Sequence, residues 1–475
     1  MATAPKVMGY LPNDKPPFGK MLLLGFQHVL TMFPATVLCA MLMHFDVSTV
    51  LTITGLGTVV ALLGSKFAMG KYIPLYYGSS FSYIAAVVSV VGVLEPGLGF
   101  AEVASPQTIS IVQAGFLMTG VINVIVGLVI RLSGGKETID KILPPIVTGS
   151  VACVIGIGLG YAALTMGSGT CCGVMDAAGG QLKWWTAAMI TLFAAIMFSV
   201  YLQGKGFIGM LPILLGGIVG YIAAIPLGLV NPAFTSDVFI LPRITFPNFA
   251  SPLTLTVLIG VGVMAIATIP ESTAHLYQIS LYVDHLAEEQ GREKFYLSRF
   301  IGLNLMLDGL NDMVNGIFGS TAGTNYGENN SLMVITRNYS GPVLITAGVI
   351  SMVLGFIGPL KDAVNSIPTA VAGGLSIYLF GVIGMQGIAL MIAEKVNLFD
   401  PKQLAIGAVI LIVGIGGNIG YGGNIPFGGL LANIGSVSVF PLGLPAIAFG
   451  AVLGIILNLI FFWFKPSVDR AAVTK

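Results

Sequence analysis

The chain has 475 residues, of which 55% are hydrophobic and only 9% are charged, and its formal net charge is +1. A soluble globular protein carries about 25% charged residues, so this composition excludes a soluble protein and predicts an integral membrane protein. A net charge this close to zero gives no electrostatic reason to expect nucleic-acid binding.

The ends and the cysteines add little to the functional prediction. Residues 1–20 are polar and contain prolines, so no secretory signal peptide is predicted there. The four cysteines show no metal-ligand spacing, and no metal site is expected. The adjacent Cys171 and Cys172 are interpreted as loop thiols, because a disulfide between neighbours is strained.

A membrane-spanning helix needs roughly 20 apolar residues. On that rule we predict an all-α polytopic protein with about fourteen spans, seven in each half. The first seven lie near 22–44, 48–64, 73–94, 108–131, 142–164, 184–202 and 207–229. The second seven lie near 254–283, 300–318, 320–336, 342–360, 368–393, 403–422 and 441–464.

The basic residues predict the orientation of these spans. With both termini in the cytoplasm, all of the 21 Lys and Arg residues fall on the inner side except Lys183, Arg243 and Lys361. An excess of basic residues in cytoplasmic loops is the rule for membrane proteins. We therefore expect cytoplasmic termini and an even number of spans.

Three short matches predict that the second half repeats the first. Each pair lies seven spans apart: YGSSFS at 77–82 with YGENNS at 326–331, PPIVTG at 144–149 with PTAVAG at 368–373, and Pro34 with Pro270. Because seven is an odd number of spans, the second copy would cross the membrane in the opposite orientation to the first. Inverted repeats with broken helices are typical of secondary transporters.

The stretch 319–337 (GSTAGTNYGENNSLMVITR) is too polar for a plain membrane helix. Irregular polar backbone at membrane depth is tolerated only where protein buries it or a cavity hydrates it. Glu328 adds an acid there, which predicts a functional site.

The remaining ionisable residues within spans are few. Glu271 and His275 are four residues apart on one helix face, next to Pro270, which favours a proton relay over the alternative of a structural pair. Asp308 and Asp312 have the same spacing near the predicted end of a span, where structural capping and function are both open. No Lys or Arg falls in mid-span, so we expect a neutral, hydrogen-bonding substrate with a proton as the coupling ion.

At these positions the sequence resembles the nucleobase/ascorbate transporter family, and within it the bacterial uracil permeases. The similarity runs from about Gly19 to Phe464. Its strongest points are Gln27-His28, MFPATV at 32–37, GSSF at 78–81, LPPIVTG at 143–149, Glu271 with His275, Asp308-Gly309, and YGEN at 326–329 running into ITR at 335–337.

The resemblance implies a 7+7 inverted repeat divided into a core domain (21–136 and 251–362) and a gate domain (137–250 and 363–465). Residues 1–20 and 466–475 would lie in the cytoplasm. Spans three and ten would each contain a short extended segment, and the two would pair antiparallel at mid-membrane. The half-helices that follow would point their N-terminal dipoles at the substrate. A homodimer through the gate domains is also implied.

The resemblance also assigns roles to individual residues. Glu271 and Glu328 would bind a nucleobase through their carboxyl groups, with backbone contacts from Phe81 and Gly327, and Ala35 would line the pocket. His275 would support protonation of Glu271. Supporting positions would be His28, Gln27, Tyr326, Asn329 and Asp308.

The function implied is proton-coupled import of a nucleobase across a bacterial inner membrane, with uracil the leading substrate and no cofactor besides the proton. Glu328 favours uracil, since family members that carry oxidised purines often have Gln at this position. The alternatives are a xanthine, urate or other purine permease of the same fold and, less favoured, an anion transporter or a channel. An enzyme is not expected, because the sequence shows no nucleophile–base pair and no metal cluster.

Overall fold

Helices dominate the computed structural model, which describes residues 9–100, 102–133, 141–174, 180–232, 234–426, 433–434, 437–438 and 443–464. Within these residues nine helices are long and apolar enough to cross a membrane. The chain is therefore an integral membrane protein. The predicted domain boundary at 136/137 and the predicted tail 466–475 lie outside the described residues.

The elements follow one another in two runs of similar length. The first run is α1 (Phe18–Leu42), α2 (Val47–Met69), β1 (Tyr77–Ser79), α3 (Ile84–Leu94), α4 (Pro106–Ser133), α5 (Pro145–Gly158), α6 (Gly160–Ser168), α7 (Gly180–Tyr201) and α8 (Pro212–Ala224). The second run is α9 (Thr254–Gly260), α10 (Ala265–Glu289), α11 (Ile301–Phe318), β2 (Gly323–Asn325), α12 (Gly327–Thr336), α13 (Gly341–Leu354), α14 (Gly358–Asn365), α15 (Thr369–Ala393), α16 (Pro401–Leu411), α17 (Gly417–Gly420) and α18 (Ala446–Trp463). Two-residue strands β3 (Asn424–Ile425), β4 (Asn433–Ile434), β5 (Val437–Ser438) and β6 (Leu444–Pro445) pair antiparallel, β3 with β6 and β4 with β5.

Each of the fourteen predicted intervals contains described helix. Five of these helices are shorter or more polar than an ordinary span: 81–94, α8, α11, α12 and α13. In the interval 403–422 the helix runs to Gly420 and is interrupted by a π-helical turn at Ile412–Gly416. Pro34 and Pro270 both lie inside helices, as predicted.

The predicted spans three and ten are interrupted by strands. β1 pairs antiparallel with β2, and Tyr77, Gly78 and Ser79 lie opposite Asn325, Thr324 and Gly323. Tyr326 extends the pairing, because its N–H donates to the carbonyl of Tyr76 at 2.9 Å. The pairing satisfies the backbone groups that a broken helix would otherwise leave without partners.

Glycines allow the long helices to pack backbone against backbone. A Cβ added to Gly127 of α4 would lie 2.6 Å from the carbonyl oxygen of Gly302 in α11. One added to Gly348 of α13 would lie 2.8 Å from the carbonyl oxygen of Gly55 in α2. Small residues at crossings are how membrane helices gain van der Waals contact, since lipid removes the hydrophobic driving force between them.

Candidate substrate site

Two helix N-termini flank the β1–β2 pair. A 3-10 turn (Phe81–Tyr83) leads from β1 into α3, and α12 begins at Gly327, two residues after β2 ends. Because the strands are antiparallel, each helix starts beside the beginning of the other strand and runs away from it. The first N–H groups of both helices are thus presented near the strands, where they can donate hydrogen bonds to a ligand.

Side chains from α1, from α2 and from Tyr326, just before α12, hold this arrangement. The Tyr326 hydroxyl donates to the carbonyl of Ser79 at 2.9 Å and lies 3.0 Å from the hydroxyl of Thr36 in α1. Thr58 of α2 both accepts from the N–H of Tyr77 at 3.2 Å and donates to its carbonyl at 3.0 Å. Tyr326, which the resemblance gave a supporting role, is therefore a buried brace across the strand pair.

We expect Gly78→Ala to disrupt the strand pair. The new methyl group would lie 2.1 Å from the Tyr326 ring, so the ring or the strand must move. Overpacking of this kind costs about 1–3 kcal/mol of stability. The measurement is thermal unfolding of the purified variant, with Gly92→Ala as the matched control, because nothing lies within 4 Å of a Cβ there. Equal melting temperatures for the two variants would contradict this prediction.

Three titratable side chains lie around the start of α12. Glu328 is in the first turn of α12 and is exposed, whereas Glu271 and His275 on α10 are half-buried. Glu328 is within electrostatic range of both Glu271 and His275. Among the described residues, neither carboxylate has a hydrogen-bond or ion-pair partner. Both acids are therefore free to accept hydrogen bonds from a ligand.

His275 is fixed by β2 and not by Glu271. Its Nδ1 lies 2.9 Å from the carbonyl oxygen of Asn325 and 2.7 Å from the side-chain oxygen of the same residue. Since both partners are acceptors, Nδ1 is the donor, and Nε2 is the ring nitrogen left for other contacts. A Cβ on Gly327 would lie 3.0 Å from that Nε2, closer than an ordinary contact, so the glycine gives the ring room to approach.

A buried polar network extends from His275 into the helices behind it. Asn325 donates to the Ser272 hydroxyl at 2.7 Å, and Asn304 donates to the same hydroxyl at 3.0 Å. The network holds Asn325 in place, and Asn325 in turn orients the histidine ring, much as outer contacts orient the ligands of a metal.

Asp308 and Asp312 lie in the middle of α11, so the prediction that they lie near a span end is wrong. The interruption that looked like an end is the strand that follows the helix. Both side chains are fully buried, and Asp312 accepts from the N–H of Gly323 at 2.7 Å and from Asn123 at 3.1 Å. Asp312 thus anchors the start of β2 to α4 and α11.

The other predicted supporting residues cluster where α1 meets α12. His28 is buried. The side-chain amide nitrogen of Asn329 donates to the carbonyl oxygen of His28 at 3.1 Å, and it lies at the same distance from Nδ1 of His28. Gln27 beside it is half-buried, and Ala35 is 5% exposed on the same helix. These contacts attach α1 to the half-helix that carries Glu328.

Phe81 contacts a residue that sequence reasoning missed. Its ring meets Phe380 of α15 edge to face, with centroids 5.7 Å apart. Nothing in the pattern around Phe380 distinguished it from other apolar residues of a span. Ser272 was also missed, although it is next to Glu271. Asn325 lies in the polar stretch that was read as part of the site, but its contact with His275 was not foreseen.

A cavity of about 360 Å³ lies between α1, α8 and residues 363–375. Its lining is almost entirely apolar and includes Phe33, Val37, Leu38 and Ile218. It contains neither Glu271 nor Glu328. A hydrogen-bonding substrate therefore fits the polar region at the strand pair better than this cavity.

Two solved structures share the fold. The transmembrane domain of the cyanobacterial bicarbonate transporter BicA has a TM-score of 0.59 at 14% identity, covering 94% of this chain and 99% of that chain. The murine Slc26a9 anion transporter in the inward-facing state has a TM-score of 0.58 at 11% identity, covering 95% and 69%. At these identities the likeness concerns the fold alone.

Sequence relatives are much closer. The chain is 32% identical to the uracil permease of Bacillus caldolyticus, with 97% of this chain and 95% of the relative covered. It is 32% identical to that of Escherichia coli K12 (94% and 93%) and 30% identical to that of Bacillus subtilis 168 (92% and 91%). The sequence model of the Permease family matches residues 19–421. As its motifs indicated, the chain belongs to this family of permeases and is a transporter, not an enzyme.

Proposed function

We propose that the protein imports uracil together with a proton across a bacterial inner membrane. The observation that carries this proposal is a pair of carboxylates, Glu271 and Glu328, that have no partner among the described residues and lie beside two helix N-termini at a strand pair. The relatives named uracil permease, similar over nearly the whole chain, support the choice of base.

The chemistry of the site matches the edge of a pyrimidine. Uracil alternates ring N–H donors with carbonyl acceptors, and carboxylates accept from N–H groups. Backbone N–H groups at Phe81 and Gly327 would donate to the carbonyl oxygens. No Lys or Arg side chain forms a described ion pair with Glu271 or Glu328, which suits a neutral substrate.

Glu271 and His275 would supply the proton coupling. In the proposed cycle Glu271 takes a proton from the outside, and the base then binds between the strand pair and α10. Both are released inward, and loss of the proton weakens the hold on the base. His275, with Nδ1 fixed by Asn325, would present Nε2 to this exchange.

We also propose the fourteen-span inverted repeat, with cytoplasmic termini. Two helix contacts support it: α2 packs on α13, and α4 packs on α11. An offset of seven spans makes these two contacts equivalent. Within the proposed gate domain, α7 packs on α8 as α16 packs on α18, which are again equivalent pairs. Import would occur by movement of core against gate, with a homodimer formed through the gate domains.

The test is uptake of labelled uracil into proteoliposomes with an inward acid gradient, with and without excess unlabelled xanthine. Accumulation that xanthine leaves unchanged supports the proposal. If xanthine abolished uptake, the substrate would be assigned to the purines or to a broader range of bases. Saturable uptake without accumulation would contradict proton coupling, and non-saturable flux would indicate a channel.

A further inference from the structure

A pair of thiols lies far from the strand pair, in the turn that follows α6. Cys171 and Cys172 are both exposed, whereas Cys39 and Cys153 are buried. The transport mechanism proposed above uses none of them.

The turn that holds the pair is tightly hydrogen-bonded. Gly169, with φ +80°, ends α6, and its carbonyl accepts from the N–H groups of Cys172 at 3.0 Å and Val174 at 3.1 Å. A second left-handed glycine, Gly173 with φ +77°, closes the turn. This backbone presents both side chains together, and the two Sγ atoms are 2.9 Å apart.

Cys172 also lies at the start of a long helix. Its thiol interacts with the side chain of Thr369, the first residue of the 25-residue α15. No side chain caps that helix at Pro368, so its N-terminal N–H groups are available to stabilise a negative charge. The hydrogen bond from Cys171, with that from Thr369, lowers the pKa of the Cys172 thiol to about 7, against the opposing effect of its partial burial.

We propose that Cys172 is the nucleophile of a thiol–disulfide exchange site whose ligands are low-molecular-weight disulfides, with Cys171 as the donor that activates it. The Cys172 thiolate attacks one sulfur of the disulfide R–S–S–R. The Cys172–S–S–R bond forms as the R–S–S–R bond breaks, and R–S⁻ leaves and takes a proton from water. No other oxidant is required.

The adduct is expected to persist as a mixed disulfide. For Cys171 to displace R–S⁻, the two neighbours would have to join, and their Cα atoms are about 3.8 Å apart. Disulfides usually require about 4.4–6.8 Å between Cα atoms. The second exchange is therefore unfavourable. After contact with small disulfides, each chain should carry one added R–S group.

The adduct would act on a packed part of the fold. One turn into α15, a Cβ on Gly373 would lie 2.4 Å from the backbone nitrogen of Gly167, so α15 and α6 pack backbone against backbone there. α15 also carries Phe380, which contacts Phe81. The proposed membrane orientation places the turn outside the cell, where thiols are not kept reduced. Only this location, and no other step of the inference, rests on the proposed function.

The test is the rate at which purified wild-type protein, C172A and C171A react with 4,4′-dithiodipyridine between pH 5 and 10. In the wild type one thiol per chain should react fast, and the midpoint of its rate against pH should lie near pH 7. C172A should lose this fast reaction. In C171A the midpoint should rise toward the ordinary value of about 8.5. The rate at pH 7 should fall about threefold, since the smaller thiolate fraction outweighs the gain in intrinsic nucleophilicity.

Peptide mapping of the wild-type adduct gives a second readout that needs no variant. The added mass should lie on Cys172. A fast phase that persists in C172A, an unmoved midpoint in C171A, or an adduct on Cys39 or Cys153 would each overturn the proposal. None of these measurements depends on uracil transport, so their failure is distinct from failure of the proposed function.

Discussion

Glu271→Gln is expected to abolish proton-driven accumulation while leaving uracil binding largely intact. The amide has the shape and the donor and acceptor atoms of a protonated carboxyl group, but it cannot release a proton. With one proton per base, a gradient of one pH unit supplies about 1.4 kcal/mol, enough for about tenfold accumulation. In proteoliposomes the wild type should reach that ratio, and the variant should stop at a ratio near one while still exchanging labelled for unlabelled uracil.

Glu288→Gln is the matched control for this experiment. Glu288 is on the same helix as Glu271, but it is exposed and pairs with Lys294 at 2.9 Å outside the site. Its accumulation ratio should equal that of the wild type. If Glu271→Gln also kept full accumulation under an acid gradient, the coupling role of Glu271 would be wrong.

Glu328→Gln should weaken uracil binding about 10- to 100-fold. A hydrogen bond to a charged group contributes about 1.5–3 kcal/mol, and each 1.4 kcal/mol is a factor of ten in affinity. The carboxylate has no described partner, so the isosteric amide should not disturb the fold. The measurement is uracil affinity by calorimetry on purified protein, with melting temperature as the check on folding.

The comparison variant for Glu328 is Glu394→Gln, an exposed acid just after α15. Its uracil affinity should not change. Xanthine competition should be measured in the same experiment, because purine carriers of the resembling family often have Gln at the position of Glu328. Wild-type uracil affinity in Glu328→Gln would contradict the assignment of this carboxylate to the base.

Much of the architecture could be predicted from the sequence because hydropathy reports directly on the membrane. The intervals around α1, α2 and α4 were located within a few residues, since long apolar runs admit only a helix there. Glu328 was equally visible, because an acid in glycine-rich polar sequence stands out against an apolar background.

The contacts between distant segments could not be predicted in the same way. His275 was paired with Glu271 by helical spacing, yet its hydrogen-bond partner is Asn325, fifty residues away on β2. The role of Asp312 was equally hidden, because it accepts from the N–H of Gly323, a contact that exists only after the chain turns back. Phe380 meets Phe81 across two separate parts of the sequence, and local periodicity carries no information about such pairs.

The β1–β2 pair has a consequence for biogenesis. β1 ends at Ser79 and its partner begins at Gly323, so the ribosome must add almost 250 residues before the pair can form. At ~5–20 residues per second this takes roughly 12–50 seconds. Throughout that time Thr58 can serve the backbone of Tyr77, but the other β1 groups that pair with β2 lack their partner strand, and lipid cannot replace it. The N-terminal half must therefore wait beside the insertion machinery or in contact with water, and a truncated first half should be recognised as incomplete by membrane quality control.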